Sequence, residues 1–323
     1  MAEFTLQEII DATSGTCKGD VSLQFKDIST DTRTIEAGYV FVALKGDTFD
    51  GHDFIKTAIE KGATAAIVEK GRSVDGIICV EVENTLKAYQ DLANFHRRRF
   101  QIPVVAITGS SGKTTTKEMV AAVLSTEFNV LKTEKNFNNE IGLPKTLLQL
   151  SPEHEACVVE MGMRGLGQIE ELALIAEPTI GIITNVGTSH IELLGSQEAI
   201  AEAKGELIRC LGPDSVAILN EDDHFVKAMS SIAKGKTVTY GIHSNATVIG
   251  SHLRYKKDGI KFTCKCYDEV FDVFLPMIGE HNVYDALAAI AAGRVLGVKS
   301  SKIKKGLSDF TGTPMRQEIV AFE

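Results

Sequence analysis

Apolar residues along this chain fall into short blocks separated by helical stripes, and the texture changes twice. In the first hundred residues a helix is predicted over 5–12. Strand-like runs follow at 40–44, 65–68 and 76–80, with a helix at 54–61 between the first two. Polar turns separate them, Thr30-Asp31-Thr32-Arg33 and the stretch from Lys45 to His52, whose composition suits a polar ligand as well as plain surface turns. From Ile102 to about Thr313 the pattern becomes β-α-β. Apolar blocks recur at 103–107, 157–161, 180–186 and 216–219, alternating with helical segments at 116–126, 141–149, 166–176 and 197–209. Beyond 236 single residues alternate over 247–255, 260–267 and 270–275, which predicts antiparallel strands at one edge. An alanine-rich helix over 283–296 follows Gly279-Glu280-His281-Asn282. The chain therefore reads as α/β. A small N-terminal α/β domain covers 1–100, and a doubly wound, mostly parallel sheet with an antiparallel edge covers 101–314, leaving 315–323 as the start of a further segment.

The most informative junction is Thr108-Gly-Ser-Ser-Gly-Lys-Thr-Thr-Thr-Lys117, set between the apolar block at 103–107 and Met119, Val120, Val123 and Leu124 on one helical face. Strand, glycine turn, lysine, hydroxyls and helix, in that order, build a phosphate-binding loop. Gly109 and Gly112 let backbone N–H groups approach phosphates around Ser110 and Ser111. Lys113 reaches the β/γ oxygens, and Thr114, followed by Thr115, offers a hydroxyl to Mg²⁺. The general GxxxxGK[ST] pattern asks for glycine at 107, where this chain has Ile107, so the loop is two residues tighter. An ordinary βα turn with a chance GKT is the competing reading.

Other polar groups close the same sheet edge. Glu160 ends the block Val158-Val159, and a carboxylate there is costly to bury unless paired or bound to metal. His190 lies in the loop 185–190; alone it would count as structural, and its position gives it weight. Lys204, between Glu202 and Glu206 on a helix, reads on its own as a solvated surface lysine. Asn136, Asn138 and Asn139 around Phe137 form a donor and acceptor array for a polar substrate, or a cap for the helix near Ile141.

Bulk properties narrow the field. With 323 residues, 44% hydrophobic and 24% charged, the chain is an ordinary globular sequence of about two domains. A net charge of −9 excludes a nucleic-acid partner with a broad basic face, and Arg97-Arg98-Arg99 reads as a solvated helix end. No apolar run is long enough to span a membrane, and the N-terminus lacks the pattern of a secretory signal. Six scattered cysteines suit a reducing cytoplasm; Cys264 and Cys266 are expected as half-buried core thiols on the face of Phe262.

Six segments, TGSSGKTTTKEM, NFNNEIGLP, VVEMGMR, TNVGTSHIE, EAKGEL and GEHNVYDALAA, stand in this order. Together they resemble the Mur ligases of bacterial cell-wall synthesis, and within them the branch that adds D-alanyl-D-alanine to UDP-N-acetylmuramoyl-tripeptide. The tighter GxxGKT loop is the form those ligases use. The resemblance implies an ATP-dependent ligase that forms an amide through an acyl phosphate; a cytoplasmic monomer is expected. It implies that Lys113 and Thr114 hold phosphates and a first Mg²⁺ with Glu160, and that His190 and a carbamylated Lys204 serve a second. It places Asn282 on the adenine side, Arg316 near a hinge to a further domain, and Asp31, Thr32, Arg33, Lys45 and His52 in the UDP-sugar stretch of the N-terminal domain. The resemblance implies a third domain in the family, which is expected to be missing from this sequence. An incomplete form of the enzyme is therefore expected, against a non-catalytic nucleotide- or UDP-sugar-binding module or one half of a split ligase.

Overall fold

The computed structural model describes residues 2–18, 20–46 and 48–312; Arg316 lies outside them. The chain divides into two units. The first is Met1–Gln101 with Pro144–Pro152, and the second is Ile102–Leu143 with Glu153–Glu323.

In the first unit, β1 (Phe4–Thr5) leads into α1 (Leu6–Thr13) and pairs antiparallel with β2 (Gln24–Phe25). Thr5 and Glu8 close a capping box at the helix start. The Thr5 hydroxyl accepts from the Glu8 N–H at 3.2 Å, and Thr5 N–H donates to Glu8 Oε2 at 2.8 Å. A parallel sheet then forms in sequential order from β3 (Asp27–Ser29), β4 (Tyr39–Val42), β5 (Ala65–Glu69) and β6 (Ile78–Val82). α2 (Ile55–Glu60) connects β4 to β5, and α3 (Thr85–Arg98), capped by Asn84, follows β6. Phe41, Ala43, Ile55, Ala58, Ala66 and Val68 share one core cluster.

The arginine run at the end of α3 is less solvated than its composition suggests. Arg98 and Arg99 are exposed, but His96 and Arg97 are buried, and the Arg99 guanidinium lies 4.4 Å from the Phe4 ring centre while pairing with Glu8 at 2.9 Å. Its stem and stacking face cover apolar surface, an option that charge counting overlooks.

The second unit is built on nine strands. In chain order they are β7 (Val104–Thr108), β8 (Val130–Lys132), β9 (Ala156–Glu160), β10 (Ile180–Ile183), β11 (Val216–Asn220), β12 (Lys236–Gly241), β13 (Val248–Lys256), β14 (Gly259–Cys266) and β15 (Glu269–Leu275). In space the order is β15-β14-β13-β12-β11-β10-β7-β9-β8. Pairing is parallel from β8 to β13 and antiparallel across β13, β14 and β15. The expected architecture, including its antiparallel edge, is present.

Helices follow the strands. They are α4 (Lys113–Leu124), α5 (Gly142–Leu147), α6 (Gln168–Ala176), α7 (Ile191–Leu194), α8 (Gln197–Cys210), α9 (His224–Ala228), α10 (Glu280–Val295) and α11 (Ser300–Ser308). Residues of α4, α10 and α11 join one cluster with Val105, Ile107, Val158, Ile182, Ile218 and Phe262. Against the opposite side packs α8. A side chain at Gly181 would meet Leu207 and Leu211 at 3.0–3.2 Å, so the strand keeps glycine to admit the helix. Cys264 and Cys266 are fully buried rather than half-buried, because β14 turns both inward with Phe262. Burial raises both thiols, Cys266 to about 11, and among the described residues no cysteine is disulfide-bonded or in a metal-ligand cluster.

Candidate functional site

β7 is buried along its whole length and ends at Thr108, so the chain must turn at Gly109 to start α4. Gly109 has φ 153° and Gly112 has φ 78°, and both lie where a Cβ has no room. One at Gly109 would sit 1.8 Å from Thr184 Oγ1, and one at Gly112 would sit 2.6 Å from Asp285 Oδ1. The loop is braced from β10. Thr184 Oγ1 donates to Ser111 O at 2.6 Å, Ser110 N–H donates to Asn185 O at 2.9 Å, and Ser111 N–H donates to Asn185 Oδ1 at 3.1 Å. Gly187 N–H donates to Ser110 Oγ at 2.8 Å. The Lys113 ammonium folds onto its own loop, donating to Gly109 O at 2.8 Å.

Glu160 lies beside this loop, because β9 pairs with β7 in the register Ile107↔Glu160. Its residue is 3% exposed. Asn138 Nδ2 donates to Oε1 at 2.8 Å, whereas Oε2 is buried and has no hydrogen-bond partner. A buried carboxylate oxygen without a protein partner is costly and suits a cation or a water as its partner. Of the other amides, Asn139 Oδ1 accepts from the Gly142 N–H at 2.9 Å and so caps α5, while Asn136 is exposed. The array thus divides its work between the carboxylate and the helix.

Lys204 departs most from its reading as an isolated residue. It is 2% exposed rather than solvated, because Glu206, two residues on, accepts from Gly167 N–H at 2.6 Å and Glu170 N–H at 3.0 Å and draws α8 against the start of α6. Burial lowers the Lys204 ammonium to about 7, with the nearby Lys113 charge adding to the effect. His190 sits before α7 with φ 69°, an uncommon conformation for a residue with a side chain. Solvent reaches its ring, yet partial burial and then the charges of Lys204, Lys113 and Arg164 lower its pKa. That favours the neutral imidazole with a free lone pair. Among the described residues, then, the loop, Glu160, His190 and Lys204 come together at the carboxyl ends of β7, β9 and β10, where ligands of such sheets bind.

Beside the loop is a cavity of about 420 Å³ lined by Ser111, Gly112, Thr115, Asn185, Asn282 and Asp285, with Asn220, Tyr240, His281 and Tyr284 among its other walls. Asn282 is fixed by Nδ2 donating to Ile278 O at 2.7 Å. Asp285 had no signal in the sequence beyond its place in an alanine-rich helix. It is buried, accepts from Thr116 Oγ1 at 2.8 Å, and burial raises its carboxyl to about 7.

The polar turns of the first unit form a separate arrangement. Asp31 is gripped by Arg33, which donates to it through the backbone N–H at 2.9 Å and Nη2 at 2.7 Å. Asp31 is held down at about 2, first by that side-chain bond, with Lys145 adding positive charge. The Arg33 side chain remains 86% exposed and available to an anion. His52 is buried and both ring nitrogens are engaged. Nε2 accepts from the Glu69 N–H at 3.0 Å and Nδ1 meets Asp50 Oδ1 at 2.6 Å, so its ring holds the turn together. Lys45 is exposed and its backbone pairs antiparallel with that of Asp50 across that turn, and Thr32 is partly exposed.

The family model described as "Mur ligase middle domain" matches residues 107–293, and "Mur ligase family, catalytic domain" matches 24–109. The UDP-N-acetylmuramoyl-tripeptide–D-alanyl-D-alanine ligase of Synechocystis is 48% identical over 294 residues, 88% of this chain and 62% of that protein. The Bacillus subtilis ligase of the same name is 38% identical over 99% of this chain and 70% of its own length. Among solved structures, MurF from Acinetobacter baumannii superposes with a TM-score of 0.94 at 35% identity, covering 99% of this chain and 71% of the other. MurF from Thermotoga maritima, solved in complex with ADP, gives 0.84 at 30% identity, with 92% and 68% covered. The chain thus spans less than two thirds of the Synechocystis relative's length.

Proposed function

The chain belongs to the Mur ligase family, and from that premise we propose that it serves the ATP-dependent joining of D-alanyl-D-alanine to UDP-N-acetylmuramoyl-tripeptide. The observation that carries this reading is the partnerless Oε2 of Glu160, buried one strand away from the phosphate loop. An oxygen in that state beside a nucleotide loop fits Mg²⁺. Thr114 and Glu160 would hold one ion, and His190 and Lys204 a second. Bound there, Mg²⁺ would neutralise phosphate charge as it builds during transfer.

The remaining work falls to the chain's own groups. Backbone N–H groups of residues 110–113 cradle the nucleotide phosphates at the start of α4, where the helix dipole favours anions. Lys113 leaves the Gly109 carbonyl to meet the β/γ oxygens. The tripeptide carboxylate attacks the γ-phosphorus, ADP departs, and the D-alanyl-D-alanine amine then displaces phosphate from the acyl carbon. Asn282 faces the adenine side. The Asp31–Arg33 turn, with Lys45, receives the uridine nucleotide, and His52 keeps that turn in shape. Asn138 orients Glu160, while Asn136 and Asn139 border the entry for substrate. Arg316 is assigned to the phosphates by family resemblance alone.

Lys204 must change before it can ligate a cation. With its ammonium at about 7, a large fraction of the amine is neutral at physiological pH. The neutral nitrogen can attack CO₂ and release a proton, leaving an anionic carbamate. Incubation with ¹³C-bicarbonate should then give a carbamate carbon resonance that K204A lacks; identical spectra for the two proteins would remove this role.

Calorimetry tests the central reading. ATP should bind about tenfold or more tightly with Mg²⁺ than without it, a difference of about 1.4 kcal/mol. Equal affinity in the two conditions would sink the assignment. Phosphate release that needs both UDP-muramoyl-tripeptide and D-alanyl-D-alanine would extend it to turnover.

A further inference from the structure

We propose that Lys117 and Thr133 are positioning residues that set Glu160 against the phosphate loop. The inference rests on the reading that Glu160 faces a divalent cation.

Lys117 lies one turn after Lys113 on α4, and its side chain is 1% exposed. The ammonium donates to Thr133 O at 2.6 Å and pairs with Glu118 Oε1 at 2.9 Å, and Glu118 also pairs with Lys132. Thr133 follows β8 and is completely buried, and each of its polar groups is used. Its carbonyl accepts from the Lys117 ammonium, its N–H donates to Val158 O at 2.9 Å, and its hydroxyl accepts from the Glu160 N–H at 3.1 Å. One residue therefore ties the loop helix to the last residue of β9. The loop that leaves Thr133 also carries Asn138 to Glu160 Oε1. Glu160 is held through its backbone and through one oxygen, leaving Oε2 open.

A buried ammonium is an expensive way to fill this space. Removing it from water costs several kcal/mol before its partners compensate, and an apolar side chain of similar volume often stabilises as well or better. What methionine at 117 would not supply is a directed bond that fixes the height of Thr133. Groups that orient a ligating side chain commonly change metal affinity roughly 10–100-fold when removed.

The test compares ATP binding with and without Mg²⁺ in the whole chain. In K117M and T133V the Mg²⁺-dependent gain in affinity should fall about tenfold or more, with metal-free ATP affinity unchanged. T133S keeps the hydroxyl and should behave as the unmodified protein does. Should K117M fail to fold, T133V, nearly equal in shape, decides alone. A full Mg²⁺ gain in folded T133V overturns the inference. A chain that shows no Mg²⁺ gain before any substitution overturns the reading of Glu160 itself, and the two failures are told apart.

Discussion

Alanine at position 109 should weaken Mg·ATP binding roughly 100-fold, combining a backbone strain of about 1–3 kcal/mol with a comparable overpacking cost. The added methyl would sit 1.8 Å from Thr184 Oγ1 and 3.2 Å from the Asn185 nitrogen. Thr184 has little freedom to retreat. Its carbonyl accepts from Asn220 Nδ2 at 3.0 Å and from Tyr240 OH at 3.3 Å, and its hydroxyl is the brace on Ser111 O. Any shift that relieves the clash releases the loop. G112A meets the softer obstacle of the Asp285 carboxyl at 2.6 Å and should lose less. Calorimetry with both variants, alongside thermal melts, checks the order. G109A binding within about threefold of the parent would show that the loop does not depend on this brace.

The second large effect is one of pH. Asp285 ionises near 3.8 in an unfolded chain and at about 7 when buried in the folded one, because burial outweighs the Thr116 hydrogen bond. Below pH 3.8 the group is protonated in both states and costs nothing. Between 3.8 and 7 folding takes up a proton, so stability falls as pH rises, and above 7 the full penalty applies, on the order of 4 kcal/mol at 1.36 kcal/mol per unit. An asparagine in its place keeps the acceptor for Thr116 and escapes the ionisation. D285N should therefore melt several degrees higher than the parent at about pH 8 and no higher near pH 4. A difference that does not vary with pH would mean Asp285 stays ionised in the fold.

The parts legible in the sequence were those set by local rules. The glycine turn between an apolar block and a helical stripe announced the phosphate loop, and alternation over 247–275 announced the antiparallel edge. Very short elements were not legible. β8 has three residues and takes its hydrogen bonds from β9. Lys204 and Asp285 show a second limit. Each is an ordinary polar residue by period and composition, and each is buried by contacts that reach a distant segment, the start of α6 held by the neighbouring Glu206 in one case and the loop at Gly112 and Thr116 in the other. Contacts between residues far apart in sequence decide such positions, and no window along the chain contains them.

The return of residues 144–152 to the first unit bears on how this protein can be recombined. His96, buried near the end of α3, meets Leu150 O at 2.9 Å, and Leu147, Leu148 and Leu150 are buried with it. A gene cut once near codon 101 would detach that body without the piece that closes it. Exchanging it between homologues requires three junctions, after codons 101, 143 and 152, so that codons 144–152 travel with the first hundred.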